Sequence, residues 1–409
     1  MPTPPSDAMM PTPRVAFFTD SYDEANGIAR LSRELEDYVV RRDVPFLCVH
    51  GGATNSLSTP GPRRRMQLRR GAAAWRLEHD LWFDPLMWRH YGRVRDVVRA
   101  FQPDVVHITG PSDVGQLGAC LGHRLGIPIV GSWHTNVHQY VGLRSGKWLH
   151  WLSDSFQSAA RGWVERQVLR GAVLFYQVPR VLLAPNEDLV RLLADRTRRP
   201  TYLMRHGVDT ELFSPDKRSK ARSGGRVRIG FVGRLSAEKH VRFLETLERA
   251  LDDAGIPSRF VVVGDGAERG WLQRHLWHPE CPGVLTGEPL ARAYANMDLF
   301  VFPSASETFG LVVLEAMASG VPVVAMAQGG PKYVVETGIT GWLARDDDDF
   351  VAATVRLARD PVLCGQLGRT ARIRAKAWSW DSVFDELYEV YGAALADVPT
   401  VSMAVPAGA

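Results

Sequence analysis

Short apolar runs recur along the chain, and most are followed by a glycine-containing or polar loop and then by a helical pattern. In the first half these runs are residues 14–20, 45–49, 103–108, 127–133, 172–178 and 201–204. In the second half they are residues 227–235, 259–266, 284–287, 299–302 and 321–324. Nearly continuous apolar strands that alternate with helices are typical of parallel sheets covered on both faces. The pattern therefore predicts two successive doubly wound α/β halves, which bind ligands at the carboxyl ends of their strands.

The length of the chain supports this division. A chain of 409 residues is too long for one typical hydrophobic core. We expect a disordered lead-in, an N-terminal domain, a polar linker, a C-terminal domain, a last helix and a disordered tail, at residues 1–13, 14–215, 216–226, 227–375, 376–395 and 396–409. The Pro-rich lead-in lacks the apolar segment of a signal peptide, and no apolar run reaches the length of a membrane span.

Two glutamates stand eight positions apart in residues 303–325, where the pattern predicts a strand, a loop, a helix and a second strand. Glu307 precedes the predicted helix and Glu315 lies inside it. They do not share one helical face, since eight residues at 100° each leave them about 80° apart. Each carboxylate can accept two hydrogen bonds from the neighbouring hydroxyls of a sugar. Between them, the backbone amides of a helix start suit a phosphate or sugar oxygen, and they belong to Thr308, Phe309, Gly310 and Leu311.

Two cations follow the first strand of the second half. Arg234 comes directly after Gly233, and Lys239 lies at the predicted start of the next helix. The helix dipole adds to the attraction of both cations for anions such as a diphosphate. Gly264, in the turn after the next strand, allows a ligand to approach the backbone closely.

The first half offers two candidates at strand ends. Gly27 lies in the loop after the first strand, where a glycine lets the backbone approach a ligand. His134 ends the strand at residues 127–133 and is expected to face the crevice of the sheet. His107 and His138 stay ambiguous, because a histidine in such a sequence is as readily a hydrogen-bonded structural residue.

Together these motifs resemble a known family. The spacing of Glu307 and Glu315, the Gly-Arg-Leu-x-x-x-Lys run at 233–239, the His-Thr-Asn run at 134–136 and the Gly-Val-Asp run at 207–209 resemble those of retaining family 4 glycosyltransferases. The resemblance implies the GT-B fold, with two Rossmann-like domains facing a central cleft and a last helix, 376–395, that crosses back to the N-terminal domain. Within the family the chain looks most like transferases of mannosyl, glucosyl and sulfoquinovosyl groups.

The resemblance also implies a role for each candidate. Glu315 would bind the ribose of a nucleoside-diphosphate sugar, Arg234 and Lys239 its diphosphate, and Glu307 the hexose. His134 would reach the sugar from the other domain when the cleft closes. The backbone of Leu285 and Thr286 would read the nucleobase. The implied reaction is a front-face attack in which the leaving phosphate helps to deprotonate a lipid or glycan acceptor during synthesis of cell-envelope glycolipids or polysaccharides.

We expect no cofactor and no metal. The acidic run at 346–349 lacks the spacing of a calcium loop and is better explained as a solvated helix start, while the Arg–Lys pair takes over the task of a metal. Four widely separated cysteines without a CxxC motif indicate free thiols in a reducing cytoplasm.

A basic, aromatic segment at residues 61–99 points to a partner. Ten arginines face four carboxylates there, and tryptophan and other aromatic residues lie between them. Such a mixture suits an anionic membrane surface, and equally a solvated helical face whose tryptophans belong to the core. No nucleic-acid motif accompanies it. The segment favours a lipid acceptor and a peripheral position on the inner face of the cytoplasmic membrane.

Two other functions fit the same architecture: a nucleotide-sugar epimerase, and a non-catalytic nucleotide-sugar-binding partner protein. The intact set of Glu307, Arg234, Lys239 and Glu315 argues against a decayed site. The sequence leaves open the hexose, the nucleobase, the acceptor and the oligomeric state.

Overall fold

A computed structural model describes residues 12–24, 26–59, 61, 63–76, 82–134, 154–219, 225–305, 307 and 309–396. The chain divides into two compact units. Unit 1 consists of Met1–Met204 and Phe384–Ala409, and unit 2 of Arg205–Val383. The predicted lead-in and tail lie almost wholly outside the described residues, as do residues 220–224 of the predicted linker.

Unit 1 is built on an eight-stranded sheet in the order β10-β9-β8-β7-β1-β2-β4-β3, with a separate β5–β6 hairpin. Its strands are β1 (Val15–Thr19), β2 (Phe46–Gly52), β3 (Ser56–Ser58), β4 (Arg63–Arg69), β5 (Trp75–Arg76), β6 (Trp82–Phe83), β7 (Val105–Ile108), β8 (Ile129–Ser132), β9 (Val181–Ala184) and β10 (Thr201–Leu203). All pairs in the main sheet are parallel except β3–β4. The strand order reverses beside β1, which is where doubly wound sheets form a crevice.

The helices of unit 1 are α1 (Gly27–Arg41), α2 (Tyr91–Phe101), α3 (Asp113–Leu125), α4 (Asp154–Phe175) and α5 (Glu187–Thr197). Polar side chains satisfy amides at three of their starts, since Asn26, Ser112 and Asn186 each accept a hydrogen bond from the backbone three residues on. The core between the sheet and these helices consists of apolar side chains, and some of them, such as Phe18 and Leu117, are fully buried.

The strand predicted at residues 172–178 is wrong. Helix α4 continues to Phe175, and the strand lies further on, at Val181–Ala184. A short apolar run does not distinguish a buried strand from a buried helix end. Within this run Tyr176, just past the helix, is buried against Trp133 with ring centroids 5.1 Å apart, whereas Leu174 and Val178 are exposed.

Unit 2 contains a six-stranded, wholly parallel sheet in the order β13-β12-β11-β14-β15-β16. Its strands are β11 (Val227–Val232), β12 (Ser258–Val263), β13 (Glu280–Gly283), β14 (Leu299–Phe302), β15 (Val323–Met326) and β16 (Gly341–Ala344). Its helices are α6 (Phe243–Asp253), α7 (Arg269–His275), α8 (Gly287–Ala295), α9 (Leu311–Ala318), α10 (Asp347–Arg359) and α11 (Pro361–Lys376). Helix α12 (Trp380–Leu395) begins in unit 2, and its residues from Phe384 onward belong to unit 1.

The strand predicted at residues 284–287 is also misplaced. Strand β13 ends at Gly283, whose φ of 88° turns the chain, and helix α8 begins at Gly287. Val284 and Thr286 are exposed, as expected of a loop. Leu285 and Thr286 therefore precede a helix and do not form a strand edge.

The boundary between the units falls eleven residues before the predicted linker, because unit 2 begins at Arg205. Segment 205–215 groups with unit 2 because its backbone is held there. The side chain of Arg372 donates hydrogen bonds to the carbonyls of Phe213 and Thr210, at 2.5 and 2.8 Å. Val208 also pairs with Ser379 through an isolated parallel bridge. These contacts are long-range, so the polar composition at 216–226 did not reveal them.

Beyond Phe384, helix α12 packs within unit 1. The hydroxyl of Tyr38 on α1 donates to Asp385 Oδ1 at 2.6 Å, and the Tyr38 ring contacts Phe384 with centroids 5.5 Å apart. No helix in the described part of the chain is long and apolar enough to cross a membrane.

Candidate active site

The predicted donor-binding residues of unit 2 lie on loops that follow neighbouring strands. Strands β11 and β14 are paired in parallel, so their carboxyl ends meet at one edge of the sheet. The loop after β11 carries Arg234 and Lys239, and the loop after β14 carries Glu307. Such an edge is where open α/β sheets bind their ligands.

Lys239 and Glu307 form an ion pair at this edge. Lys239 Nζ donates to Glu307 Oε2 at 2.5 Å, and the two side chains retain 12% and 26% of their exposure. The ammonium also lies 5.8 Å from the centroid of the Phe302 ring, at the end of β14. The pair joins residues 68 positions apart in the chain, and it holds the carboxylate and the cation side by side.

Arg234 lies on the same loop as Lys239. Its Nη1 lies 4.0 Å from Glu238 Oε1, a loose and partly exposed contact. The predicted α-helix start at Lys239 is wrong, because residues Ala237–Lys239 form a single 3-10 turn. His240 ends that turn with a φ of 53°, and α6 begins only at Phe243. The dipole of α6 therefore does not explain how either cation would attract an anion.

The loop that carries Glu307 rests on two glycines after β15. The amide of Gly330 donates to the carbonyl of Glu307 at 2.7 Å. A Cβ atom at Gly330 would lie 2.3 Å from Phe309 Cα, and one at Gly329 would lie 2.5 Å from Glu307 O. Both distances are too short for any side chain. The two glycines therefore shape the backbone around Glu307.

Helix α9 begins at Leu311, after Gly310 in a left-handed conformation with a φ of 94°. The amides of Val313 and Leu314 already bond to Gly310 O, so the first-turn donors without an intrahelical acceptor are those of Leu311 and Val312. Of the predicted amides, Thr308 lies outside the described residues. The free donors of the helix start therefore lie later in the chain than predicted, at Leu311 and Val312.

Phe309 anchors the same loop in the interior. Its ring packs against His206 at 4.8 Å and Trp378 at 6.0 Å between centroids. Burial lowers the pKa of His206 to about 4, so the imidazole is neutral at pH 7. The Phe309 side chain therefore packs in the interior of unit 2, and only its backbone is left to contact a ligand in the loop.

Glu315 is buried one turn inside α9, with 4% of its surface exposed. Its Oε2 accepts a hydrogen bond from the Tyr294 hydroxyl at 2.8 Å. Tyr294 comes from α8 and is fully buried against Phe213 and Phe300. A buried carboxylate needs such a partner, and Tyr294 was missed because the helical pattern assigned it only to the core.

The remaining predicted residues of unit 2 have structural explanations of their own. Gly264 has a φ of 138°, and a Cβ there would lie 1.9 Å from the carbonyl oxygen of Gly233. The turns after β11 and β12 therefore touch through their backbones. Thr286 is the residue before α8, and the structure shows no capping bond from its side chain. Leu285 packs partly against the core of unit 2.

In unit 1, Gly27 is the first residue of α1, whose start is capped by Asn26. His134 lies two residues beyond β8 and is 7% exposed. Its Nε2 lies 2.7 Å from the hydroxyl of Ser132, the last residue of that strand. Thr135, Asn136 and His138 lie outside the described residues. The predicted place of His134 at the carboxyl end of a parallel strand is confirmed, and Ser132 is the neighbour that the motif did not reveal.

The acidic run at 346–349 forms the start of α10. Asp346 accepts a hydrogen bond from the amide of Asp349 at 2.8 Å, as an N-cap does. Within the described ranges, no group of three or more histidine, cysteine or acidic residues is arranged to hold a metal ion. The interpretation of this run as a helix start is confirmed.

Comparisons with known proteins agree with this architecture. Residues 25–212 match the family model described as Glycosyltransferase Family 4, and residues 226–360 match the one described as Glycosyl transferases group 1. A GDP-mannose-dependent alpha-mannosyltransferase of Mycolicibacterium smegmatis is 36% identical over 308 residues, covering 74% of this chain and 77% of that protein. A sulfoquinovosyl transferase of Arabidopsis thaliana is 30% identical, covering 74% of this chain and 59% of that protein.

Among solved structures, a sucrose-phosphate synthase from Thermosynechococcus elongatus matches with a TM-score of 0.68 at 19% identity, covering 93% of this chain and 98% of that one. The two Rossmann-like units, this structural match and the two family models place the chain in the class of GT-B glycosyltransferases. The chain belongs to glycosyltransferase family 4. The family and fold predicted from the motifs are confirmed.

Proposed function

We propose that this glycosyltransferase moves a mannosyl unit from GDP-mannose to a lipid or glycan acceptor, with retention at the anomeric carbon. The observation that carries the proposal is the Lys239–Glu307 pair beside the start of α9. It combines a cation for a phosphate, a carboxylate for sugar hydroxyls, and backbone donors in one place. The choice of mannose and guanine is supported by the identity to the M. smegmatis mannosyltransferase.

In this proposal the donor is held mostly by unit 2. Lys239 and Arg234 bind the diphosphate, and Glu307 hydrogen-bonds the mannose together with the amides around Gly310. Until the donor arrives, Glu307 offsets the charge of Lys239, so the cation need not be solvated by bulk water. Glu315, oriented by Tyr294, accepts from the ribose hydroxyls. The backbone near Leu285 and Thr286 is assigned to the nucleobase, and His134 of unit 1 to a hydrogen bond with the sugar.

The proposed reaction needs no cofactor or metal. The bond from the anomeric carbon to the diphosphate oxygen breaks, and the acceptor oxygen forms its bond on the same face. The acceptor proton passes to the leaving phosphate, and GDP departs. Lys239 and Arg234 stabilise the negative charge that grows on the diphosphate in the transition state, while positioning supplies the rest.

The donor is tested by thermal unfolding with GDP, UDP and ADP, and then with their mannose and glucose conjugates. A ligand at 100 times its Kd stabilises the fold by about 2.7 kcal/mol. We expect GDP and GDP-mannose to raise the Tm most, with or without a chelator. A larger shift with UDP-glucose would overturn the choice of donor without touching the family assignment.

The transfer itself is tested by GDP release in the presence of a membrane lipid extract or a mannoside acceptor. We expect release to track the mannosylated product one to one, with the anomeric configuration kept. Conversion of the donor sugar without any acceptor would favour an epimerase instead. Tight donor binding with neither reaction would favour a non-catalytic binding protein.

We also propose that unit 1 contacts an anionic membrane surface on the cytoplasmic side. Among the described residues of the segment 61–99, three large apolar side chains are exposed: Trp75 at 48%, Leu86 at 57% and Trp88 at 44%. Much of the basic charge there is already paired, since Arg63 and Arg65 contact Glu36, and Arg89 contacts Asp84. The exposed aromatic side chains therefore carry more of the proposal than the arginine count does.

Liposome flotation tests this contact with neutral vesicles and with vesicles containing anionic lipid, at low salt. We expect flotation with anionic lipid, and its loss in the double variant Trp75→Ala, Trp88→Ala. The control is Trp277→Ala, because Trp277 is 70% exposed but lies in unit 2. Absence of flotation on either vesicle, or equal loss in the control, contradicts the contact.

A further inference from the structure

Three hydrogen bonds connect the last helix of unit 1 to His134. Tyr391 Oη lies 2.6 Å from His107 Nδ1, His107 Nε2 lies 2.9 Å from Ser132 Oγ, and Ser132 Oγ lies 2.7 Å from His134 Nε2. The four residues come from α12, β7, β8 and the loop after β8. All four are buried. The sequence left His107 unassigned, and the donor-binding proposal does not use it.

The middle of this series is neutral. Burial, with a smaller contribution from nearby His134, lowers the pKa of His107 to about 3. At pH 7 its ring therefore carries one hydrogen, so one nitrogen donates and the other accepts. Burial also raises the pKa of the Tyr391 hydroxyl well above its ordinary value, so this group keeps its hydrogen.

The direction of the bonds follows from Tyr391. Within the described residues, His107 Nδ1 is the acceptor that the structure provides for the Tyr391 hydroxyl. A buried hydroxyl normally donates its hydrogen when an acceptor lies within reach. Tyr391 therefore donates to Nδ1, and the hydrogen of His107 lies on Nε2. That nitrogen then donates to the hydroxyl oxygen of Ser132.

The Ser132 hydroxyl, which accepts from His107, can itself donate to one of two acceptors. Its hydroxyl lies 2.7 Å from His134 Nε2 and 3.4 Å from the carbonyl oxygen of Ile108. The shorter distance is normal for a strong hydrogen bond and the longer one is at the limit. Ser132 thus donates to His134 Nε2. The end of β8 is itself held, since the Tyr176 hydroxyl donates to the Ser132 carbonyl at 2.9 Å.

We propose that Tyr391, His107 and Ser132 are positioning residues that hold His134 as the neutral tautomer with its hydrogen on Nδ1. In this form Nδ1 donates a hydrogen bond and does not accept a proton. His134 then acts on the transferred sugar as a hydrogen-bond donor to an oxygen and not as a base. The role at the sugar rests on the proposed function, whereas the tautomer does not.

The tautomer is measured by long-range 1H–15N correlation on protein labelled in its histidines, with His134 assigned from the signals lost in His134→Gln. We expect a protonated Nδ1 and an unprotonated Nε2 in the wild type. Tyr391→Phe removes the hydroxyl that sets the direction, and Ser132→Ala removes the final donor. In both variants we expect the hydrogen of His134 to move, at least in part, to Nε2.

Tyr388→Phe is the matched control. Tyr388 lies one turn before Tyr391 on the same helix, with ring centroids 5.1 Å apart, and is likewise largely buried. Within the described residues its hydroxyl has no hydrogen-bond partner. Its removal is the same chemical change in the same surroundings, and it should leave the His134 signals in place.

Kinetics complete the test. We expect Tyr391→Phe and Ser132→Ala to lower kcat about 10-fold, the scale on which losing an orienting partner weakens a histidine's role. The KM for the donor should change much less, and Tyr388→Phe should change neither. A protonated Nε2 in the wild type, or a tautomer unmoved in both variants, overturns the assignment. If the tautomer moves but His134→Gln transfers sugar at the wild-type rate, the tautomer stands and the role of His134 in the proposed function fails.

Discussion

The two units place different chemistry near the carboxyl ends of neighbouring strands. In unit 2 the loops after β11 and β14 bring together a cation and a carboxylate, with 12% and 26% of their side chains exposed. In unit 1 the ends of β7 and β8 bring together two imidazoles and a hydroxyl that are almost fully buried. A charged pair responds strongly to a charged ligand, whereas a neutral series sets the direction of hydrogen bonds. The same architecture therefore provides charges that attract a ligand in unit 2, and neutral groups that fix the direction of hydrogen bonds in unit 1.

Removing the Lys239 ammonium of the charged pair in unit 2 should have the largest effect. We expect Lys239→Ala to lower kcat/KM by ~10²-fold or more, because a transition-state donor to the diphosphate is lost and Glu307 is left without its partner. Steady-state kinetics of GDP release measure this. The control is Lys217→Ala, since Lys217 also pairs with a glutamate, Glu288, at 2.7 Å but is more exposed. Equal activity of the two variants would contradict the assignment and erase the contrast between the units.

Changing the support of Glu307 should have an intermediate effect. In Gly330→Ala the new Cβ would meet Phe309 Cα at 2.3 Å, so the loop must shift. We expect about 1–3 kcal/mol less stability and weaker donor binding, measured by urea unfolding and by the donor KM. Gly365→Ala in α11 is the control, because its nearest neighbour is the flexible end of Arg369 at 3.5 Å. If both variants bind the donor like wild type, the glycines do not position Glu307.

The effect that is smallest at pH 7 distinguishes a buried neutral imidazole from the charged pair, because it appears only as the pH falls. The pKa of His206 is about 4 in the folded protein, below its usual 6.5. Below pH 6.5 the unfolded chain binds a proton that the folded imidazole does not, so the contribution of His206 to stability is lost as the pH falls towards 4. The stability of the wild type relative to His206→Phe should therefore fall by up to about 1.4 kcal/mol per pH unit in this window.

Urea unfolding of both proteins between pH 4 and 8 measures this difference. Above pH 7.5 the difference should be constant, because His206 is neutral in both states. A constant difference down to pH 4.5 would show that His206 gains its proton in the folded protein as readily as in the unfolded chain.

Most strands and the main motifs were accessible from the sequence because both depend on local patterns. Leu299–Phe302 is a strand as predicted, since four consecutive apolar residues before a loop are typical of a buried parallel strand. The runs at 172–178 and 284–287 were misassigned because a short apolar run alone does not distinguish a strand from a helix end or a loop. The 3-10 turn at Ala237–Lys239 was missed because its end depends on the backbone of His240.

The site was only partly accessible in the same way. The motifs identified Glu307, Lys239 and His134, and the tertiary structure supplied their partners. Tyr294 reaches Glu315 across 21 positions, and Gly330 supports Glu307 across 23. No periodicity connects residues so far apart, because the pairing depends on which strands and helices become neighbours.

The sequence by itself determined that the chain forms two parallel α/β halves and that it belongs to glycosyltransferase family 4. It also determined that the second half carries two cations and Glu307 in loops after strands, and Glu315 in the helix that follows. Only the tertiary structure decided that Lys239 bonds to Glu307, and that Tyr391 is linked to His134 through His107 and Ser132. The physical reason is range. Apolar periodicity acts within a few residues, whereas Tyr391 and His107 stand 284 positions apart and meet only because helix α12 packs on unit 1.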